Sequence, residues 1–406
     1  MTEILFGSFV VVALVLTLSA VVMLARALLM PAEPATLTVN GAMAIDTVTG
    51  EKLLSALKDN GVLVPSACAG AGTCGLCRVQ VTEGAPATLP VEAAKFTKAE
   101  IRDGFHLACQ VVLRNDMAVQ VPEDLIGAES YVTTVLSTRA LTPLIREIVL
   151  QVPMEMEPDV FAGSFIEVTA PPYSLNYADL DIPEAFAEVW EPLRGLRVSS
   201  DEEVTRAYSI SNRAEDTEAK WFVLNIRLAL PPPSSLDAPP GFVSSWLFAL
   251  RPGDEVRVAG PFGSFRARDT EREMVFIGGG VGMAPLRALI HEQLADPASN
   301  RKMSLWYGAR GQAELFYADE MDALAAEHDR FSWTVAFSDP GPSDTREAPT
   351  GFIHVVAFET YLRDHPAPEA CEYYLCGPPL MIRAVLAMLD DLGVERDSIF
   401  LDDFGV

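Results

Sequence analysis

Positive charge is scarce in this 406-residue chain: 30 lysines and arginines stand against 56 aspartates and glutamates, a net charge of −26. Such a surface repels phosphate backbones, which excludes nucleic acid as a partner. Histidine is scarce as well. The five are scattered and form no constellation for imidazole-based acid–base catalysis. Cysteine is limited to six, with a single C-x2-C pair, so the two pairs of an ordinary zinc site are missing. Long apolar runs are limited to one near the amino terminus, and one helix cannot enclose an ion path.

That run, residues 4–25, carries no charge and is long enough to cross a bilayer as a helix. A signal peptide would need a positive start, a shorter run and a small-residue cleavage site. Here Glu3 precedes the run and Arg26 follows it, so a retained anchor over 1–30 is expected. Arg26 on the far side places the soluble bulk in the cytoplasm. The length suffices for two or three domains with their own cores.

Four of the cysteines carry the strongest signal. Cys68, Cys74 and Cys77 read C-x5-C-x2-C, and Cys109 follows after thirty-one residues. Three ligands from one loop and a fourth from a neighbouring strand is how a chain wraps a [2Fe–2S] cluster. Gly70, Gly72 and Gly75 let that loop fold tightly and turn N–H groups toward sulfur. Disulfides suit an oxidising compartment, which the cytoplasmic orientation argues against. The first gap has five residues where the plant-type pattern has four. His106 lies near Cys109, where a packing role outweighs an influence on the cluster. Cys371 has no site context and reads as structural.

Around the loop, residues 36–50 suggest a hairpin turning at Asn40-Gly41, and Glu51–Asn60 a short helix ended by Gly61. With the strand RVQVTEG these resemble the β-grasp ferredoxin fold over 34–127. From Ser130 to 268, short alternating strands separated by Pro and Gly point to an antiparallel barrel. An acidic, aromatic insertion, 172–203, interrupts it and reads either as a docking surface or as a tolerated loop. From 269 to 406, strands alternate with helices, which predicts a doubly wound parallel sheet.

In that last region MVFIGGGVGMAPLR runs from strand through a glycine turn into a helix. Gly278, Gly279, Gly280 and Gly282 would let backbone approach a phosphate at the helix start, and Pro285 fits the first helical turn. Cys376-Gly377-Pro378-Pro379 falls at the carboxyl end of a second strand, where such sheets bind ligands. In the barrel, Arg206-Ala207-Tyr208-Ser209 opens a strand: arginine can pair with phosphate, tyrosine can stack on a flat ring, and serine can hydrogen-bond a ring nitrogen. Gly241, Ser244 and Ser245 sit at a helix start, as donors to a second phosphate or as an ordinary cap.

The order R-A-Y-S, G-x-x-S-S, G-G-G-x-G-M-A-P, C-G-P-P resembles the ferredoxin–NADP⁺ reductase superfamily over about 130–406. With the cluster region, NYADLDIPE, GPFGSF, WYGARGQAELFYADE and LDDFGV, the whole chain is similar to the F subunits of bacterial sodium-translocating NADH:quinone reductases. The resemblance implies FAD in the barrel and NADH in the last domain. It implies Arg206, Tyr208 and Ser209 at the flavin, with Ser209 by its reactive nitrogen and Gly241, Ser244 and Ser245 on its pyrophosphate. Cys376 would lie near the nicotinamide, and Phe404 would cover the flavin face and move aside for hydride transfer. It further implies an inner-membrane complex in which this chain oxidises NADH and passes single electrons through the cluster to other membrane subunits, where quinone reduction and sodium movement occur. The nearest alternatives are the reductase component of a multicomponent oxygenase and a tethered electron-transfer module without NADH oxidation. Arg310 is the residue that could favour NADPH.

Overall fold

The computed structural model describes residues 12–19, 21, 32–66, 68, 70–122, 125–126, 130–231 and 238–402. Residues 12–19 and 21 are helical and mostly exposed. The rest of the expected 4–25 anchor lies outside the described residues. Among the described residues no helix is long and apolar enough to cross a membrane, so the expected span is not met there.

The chain divides into two compact units, 1–64 with 70–128, and 65–69 with 129–406. The first is built on five strands in the order β2-β1-β5-β3-β4: β1 (Pro34–Val39), β2 (Met43–Val48), β3 (Arg78–Glu83), β4 (Phe105–Leu107) and β5 (Met117–Gln120). β1 runs parallel to β5 and antiparallel to β2. Asn40 and Gly41 both hold positive φ, as a tight hairpin needs, but Val39 pairs with Met43, so the loop has three residues rather than two. The helix Leu53–Asp59 buries Leu53, Ala56 and Leu57, a spacing of three to four residues on one face. Gly61 at φ +78 turns the chain after it.

In the second unit, β6 (Ser130–Thr142), β7 (Ile145–Gln151), β8 (Phe165–Ala170), β11 (Val204–Ser209), β12 (Trp221–Arg227) and β13 (Glu255–Phe262) form one antiparallel sheet ordered β11-β8-β13-β6-β7-β12. An antiparallel bridge from Ile210 to Leu224 joins its two outer strands and closes it. The Arg206–Ser209 tetrapeptide ends β11 instead of opening a strand. Val204 and Thr205, branched at Cβ and suited to extended backbone, lead it and pair across to β8. Ile148, Leu150, Ile166, Val168, Phe222 and Leu224 fill the inside.

The insertion is not an unstructured loop. Its ends pair as β9 (Tyr173–Asn176) and β10 (Arg197–Ser200), and Tyr177 and Trp190 are fully buried in the barrel core. Trp190 Nε1 donates to the Pro143 carbonyl at 2.7 Å, and Arg194 caps three carbonyls of the 177–180 turn.

The remaining strands, β14 (Met274–Gly279), β15 (Met303–Ala309), β16 (Phe331–Phe337), β17 (Glu372–Cys376) and β18 (Ile399–Asp402), form a parallel sheet ordered β16-β15-β14-β17-β18. Met274 and Phe276 pack into one core, while Val275 and Ile277 pack into the other, so helices cover both faces. The strand order reverses between β14 and β17, which puts the crevice for a ligand at the carboxyl ends of these two strands.

Candidate functional site

In the first unit Cys74, Cys77 and Cys109 are buried to 5% exposure or less. Gly70, Gly72 and Gly75 all hold positive φ near +80, the conformation the tight loop requires. Gln110 is an organiser that cysteine spacing does not reveal. Its Nε2 donates to Cys109 Sγ at 3.3 Å and to the Gly70 carbonyl at 2.8 Å. Lys52 Nζ donates to the Cys109 carbonyl at 2.8 Å. The Cys109 thiol is pulled down to about 6, first by a hydrogen bond from Cys77, against burial, and then by Gln110, the Gly72 N–H and the Lys52 charge. The Cys77 thiol is correspondingly pushed up by the hydrogen bond to Cys109 and by burial. A buried thiol set with N–H donors and a cation beside it suits negative sulfur ligands, so the donor chemistry fits an iron–sulfur cluster. Cys68 is half-buried and belongs to segment 65–69, which groups with the second unit. His106 is buried, and its Nδ1 lies 3.2 Å from Glu92 Oε1, which also accepts the Leu107 N–H. That is a packing role.

In the second unit, strand alternation separates the residues of the R-A-Y-S motif. Arg206 and Tyr208 share one half-exposed face of β11, while Ser209 turns inward with Ala207. Ser209 Oγ donates to Asp402 Oδ2 at 2.8 Å. Asp402 is the neighbour of Cys376 in the β17–β18 register, and Cys376 is the neighbour of Gly278 across β14. One crevice therefore gathers Ser209 from the barrel with Cys376 and Asp402 from the parallel sheet. Asp402 escapes sequence reasoning because 193 residues separate it from Ser209 and no local pattern links the two.

The glycine turn is a close fit. A side-chain carbon at Gly282 would overlap the Cys376 carbonyl, and one at Gly377, held at φ +155, would meet Gly279 N and O at 3.0 Å. Two main chains can lie against each other here only without Cβ atoms, and the helix Met283–Ala295 begins immediately after with its N–H groups unpaired by the helix itself. Such a cradle fits the phosphates of a dinucleotide. Gly280 is held from below by Tyr307, whose hydroxyl donates to its carbonyl at 2.9 Å.

Gly241 precedes the helix Phe242–Ala249 as its cap. Both serine hydroxyls are engaged inside this turn. Ser244 Oγ bonds the Gly241 carbonyl at 3.2 Å and accepts from Ala229 N–H, while Ser245 Oγ lies between that carbonyl and Tyr177 Oη, each 2.7 Å away. The groups left for an anion are the backbone N–H donors of the first turn. Phe404 lies outside the described residues. Arg310 is exposed, and its Nε lies 3.9 Å from Glu314 Oε1.

Residues 37–114 match the 2Fe-2S iron-sulfur cluster binding domain family, and residues 276–387 the oxidoreductase NAD-binding domain family. The F subunit of the Na(+)-translocating NADH-quinone reductase of Marinomonas sp. (strain MWYL1) is 45% identical over 405 residues, covering 99% of each chain. That of Pseudomonas aeruginosa (strain UCBPP-PA14) is 47% identical over 395 residues, 97% of this chain and 96% of the relative. Among solved structures, the ferredoxin reductase in carbazole 1,9a-dioxygenase superposes with a TM-score of 0.59 at 25% identity, covering 92% of this chain and 99% of its own. An Amycolatopsis cytochrome P450 reductase gives 0.61 at 26%, covering 91% and 98%.

Proposed function

This chain belongs to the family of Na(+)-translocating NADH-quinone reductase F subunits, and from that premise we propose how its residues divide the work. It is an oxidoreductase subunit that oxidises NADH, with FAD and a [2Fe–2S] cluster as cofactors, and it is the point at which electrons enter the complex. When bound, these groups would supply the conversion of a two-electron hydride from NADH into single electrons.

The chain's own residues bind, orient and exclude. Residues 34–127 form the cluster domain, with Cys68, Cys74, Cys77 and Cys109 as ligands. Residues 130–268 hold FAD, and 269–406 hold NADH. Arg206 would pair with a flavin phosphate, Tyr208 would stack on the ring, and the first-turn N–H groups after Gly241, with Ser244 and Ser245 shaping that turn, would receive the pyrophosphate. Gly278, Gly279, Gly280, Gly282 and Gly377 let backbone close on NADH. The Ser209 hydroxyl donates its hydrogen bond to Asp402, so what it would offer a flavin ring nitrogen is an acceptor lone pair. Cys376 would lie by the nicotinamide, and Phe404 would shield the flavin face and yield it to NADH. No side chain has to move a proton in the hydride step, in keeping with the scattered histidines. Residues 4–25 anchor the chain in the inner membrane with its soluble domains in the cytoplasm, where partner subunits take the electrons.

The observation that carries this reading is the convergence of Ser209, Asp402 and Cys376 at the reversal point of the parallel sheet. Likeness to oxygenase reductases follows from shared modules, while identity of 45% over nearly the whole chain favours the sodium-translocating reductase. The test is anaerobic addition of NADH to the full chain in detergent, followed by absorbance and low-temperature paramagnetic resonance. Flavin bleaching with a reduced [2Fe–2S] signal is expected, and Cys77→Ser should keep the bleaching and lose the signal. No bleaching of the FAD-loaded protein by NADH or NADPH would overturn the reading.

A further inference from the structure

At the amino end of the parallel sheet, opposite the crevice, three chemically different ligand groups meet. Glu273 immediately precedes β14, Cys371 immediately precedes β17, and these strands are neighbours in the sheet. His365 comes from the connection before β17. Cys371 Sγ lies 3.9 Å from His365 Nε2, and that nitrogen lies 3.2 Å from Glu273 Oε2. All three ligand atoms are within 4.8 Å of one another. Zinc bonds of ordinary length in a tetrahedral arrangement place sulfur and nitrogen about 3.6 Å apart, and nitrogen and oxygen about 3.4 Å apart. The observed separations bracket those two edges.

We propose that Glu273, His365 and Cys371 bind one divalent ion of the zinc class. Thiolate, imidazole and carboxylate together select zinc or cobalt over magnesium or calcium, which prefer oxygen alone. Three protein ligands leave a fourth position for water. The surroundings hold the carboxylate ready: Glu273 Oε1 accepts from the Tyr361 hydroxyl and lies 3.4 Å from Lys302 Nζ, which leaves Oε2 turned to the site. The side chains of His365 and Glu273 are 11% and 16% exposed, enough for an ion to enter, while Cys371 is buried.

The proton balance is explicit. Burial, and then the Glu273 charge, push the Cys371 thiol up to about 11, while Arg272 and Lys302 oppose this. The thiol is therefore protonated in the free protein and releases one proton to solvent on binding. Ligation through Nε2 needs the ring proton on Nδ1, which displaces the 3.3 Å contact in which Nδ1 accepts from Ala367 N–H. The bound ion ties the 361–371 connection to the ends of β14 and β17. It lies away from Ser209, Cys376 and Asp402, so it stabilises the sheet without entering the electron path.

The test uses the full-length protein with flavin and iron in place, dialysed against zinc alone. Metal content and zinc-edge X-ray absorption are then measured. One zinc per chain with one sulfur neighbour is expected. His365→Gln and Cys371→Ser should each reduce zinc to background while iron, FAD and NADH-driven bleaching persist. Tyr361→Phe should weaken zinc binding by about tenfold. If Cys371→Ser does not fold, His365→Gln alone decides. No stoichiometric zinc in the parent protein, or zinc retained with its sulfur neighbour in His365→Gln, would overturn the proposal.

Discussion

Gly282 sits so close to the Cys376 carbonyl that a methyl group there cannot be accommodated without moving one of the two main chains. Gly282→Ala is expected to lower the rate of flavin bleaching by NADH by roughly a hundredfold, because the dinucleotide cradle would open by a fraction of an ångström or more. The cluster signal after chemical reduction should be unchanged. Stopped-flow absorbance checks the first and paramagnetic resonance the second; a parental bleaching rate would mean the close approach has no bearing on NADH. The need for glycine here is legible in the motif, since a glycine-rich turn between a strand and a helix is the setting in which backbone approaches a phosphate. Which contact each glycine serves is not legible, because it depends on β17 arriving alongside from nearly a hundred residues away in the chain. The same holds for Cys371. Read alone it is a packing cysteine, and only the fold brings Glu273 and His365 beside it.

The insertion between β8 and β11 has weak periodicity because its short strands and 3-10 turns follow no single repeat. Its aromatic residues nevertheless hold the barrel together. Tyr177 and Trp190 pack with ring centres 5.9 Å apart, Trp190 meets Phe248 at 6.2 Å, and the Tyr177 hydroxyl braces Ser245 in the turn after Gly241. The element is thus a buttress for the helix assigned to the flavin pyrophosphate. Trp190→Ala should cost about 3–5 kcal/mol, since a large fully buried side chain leaves a cavity and Pro143 loses its donor. Urea unfolding of the full chain, read by flavin release as well as by circular dichroism, would measure it. A loss under about 1 kcal/mol, roughly that of a surface substitution, would mean the insertion is a tolerated loop after all.

Across the second unit, one charged network ties the barrel to the parallel sheet. Arg287 pairs with Glu320 at 2.6 Å, donates to the Ser211 carbonyl just beyond β11, and lies over the Tyr317 ring. Tyr317 in turn donates to Glu147 on β7 at 2.6 Å and accepts from Asn225 on β12. Burial alone would raise the Glu320 carboxyl, but hydrogen bonds from His291 and Arg287 outweigh it and hold the group down at about 2. A carboxyl depressed by folding contributes stability that is complete above its ordinary value near 4.5 and is lost as pH falls toward 2. Acid unfolding should therefore steepen in that window, and Glu320→Gln should flatten the profile there. Tryptophan fluorescence in urea at stepped pH would reveal it, and identical profiles for the two proteins would rule out this pair as the acid-sensitive link.

The sequence by itself determined the parts that rest on local chemistry: cysteine spacing for the cluster, glycine turns at strand ends, the alternation of strands and helices, and the charge balance. These need only residues near one another in the chain, so spacing and period carry them. The tertiary structure decided what distant segments bring together. It closed the barrel through Ile210 and Leu224, set Asp402 on Ser209, drew the insertion's aromatics into the core, and placed Glu273, His365 and Cys371 around one point. Each of those meetings follows from strand order in a sheet, which is a matter of packing between remote segments and leaves no imprint on neighbouring residues.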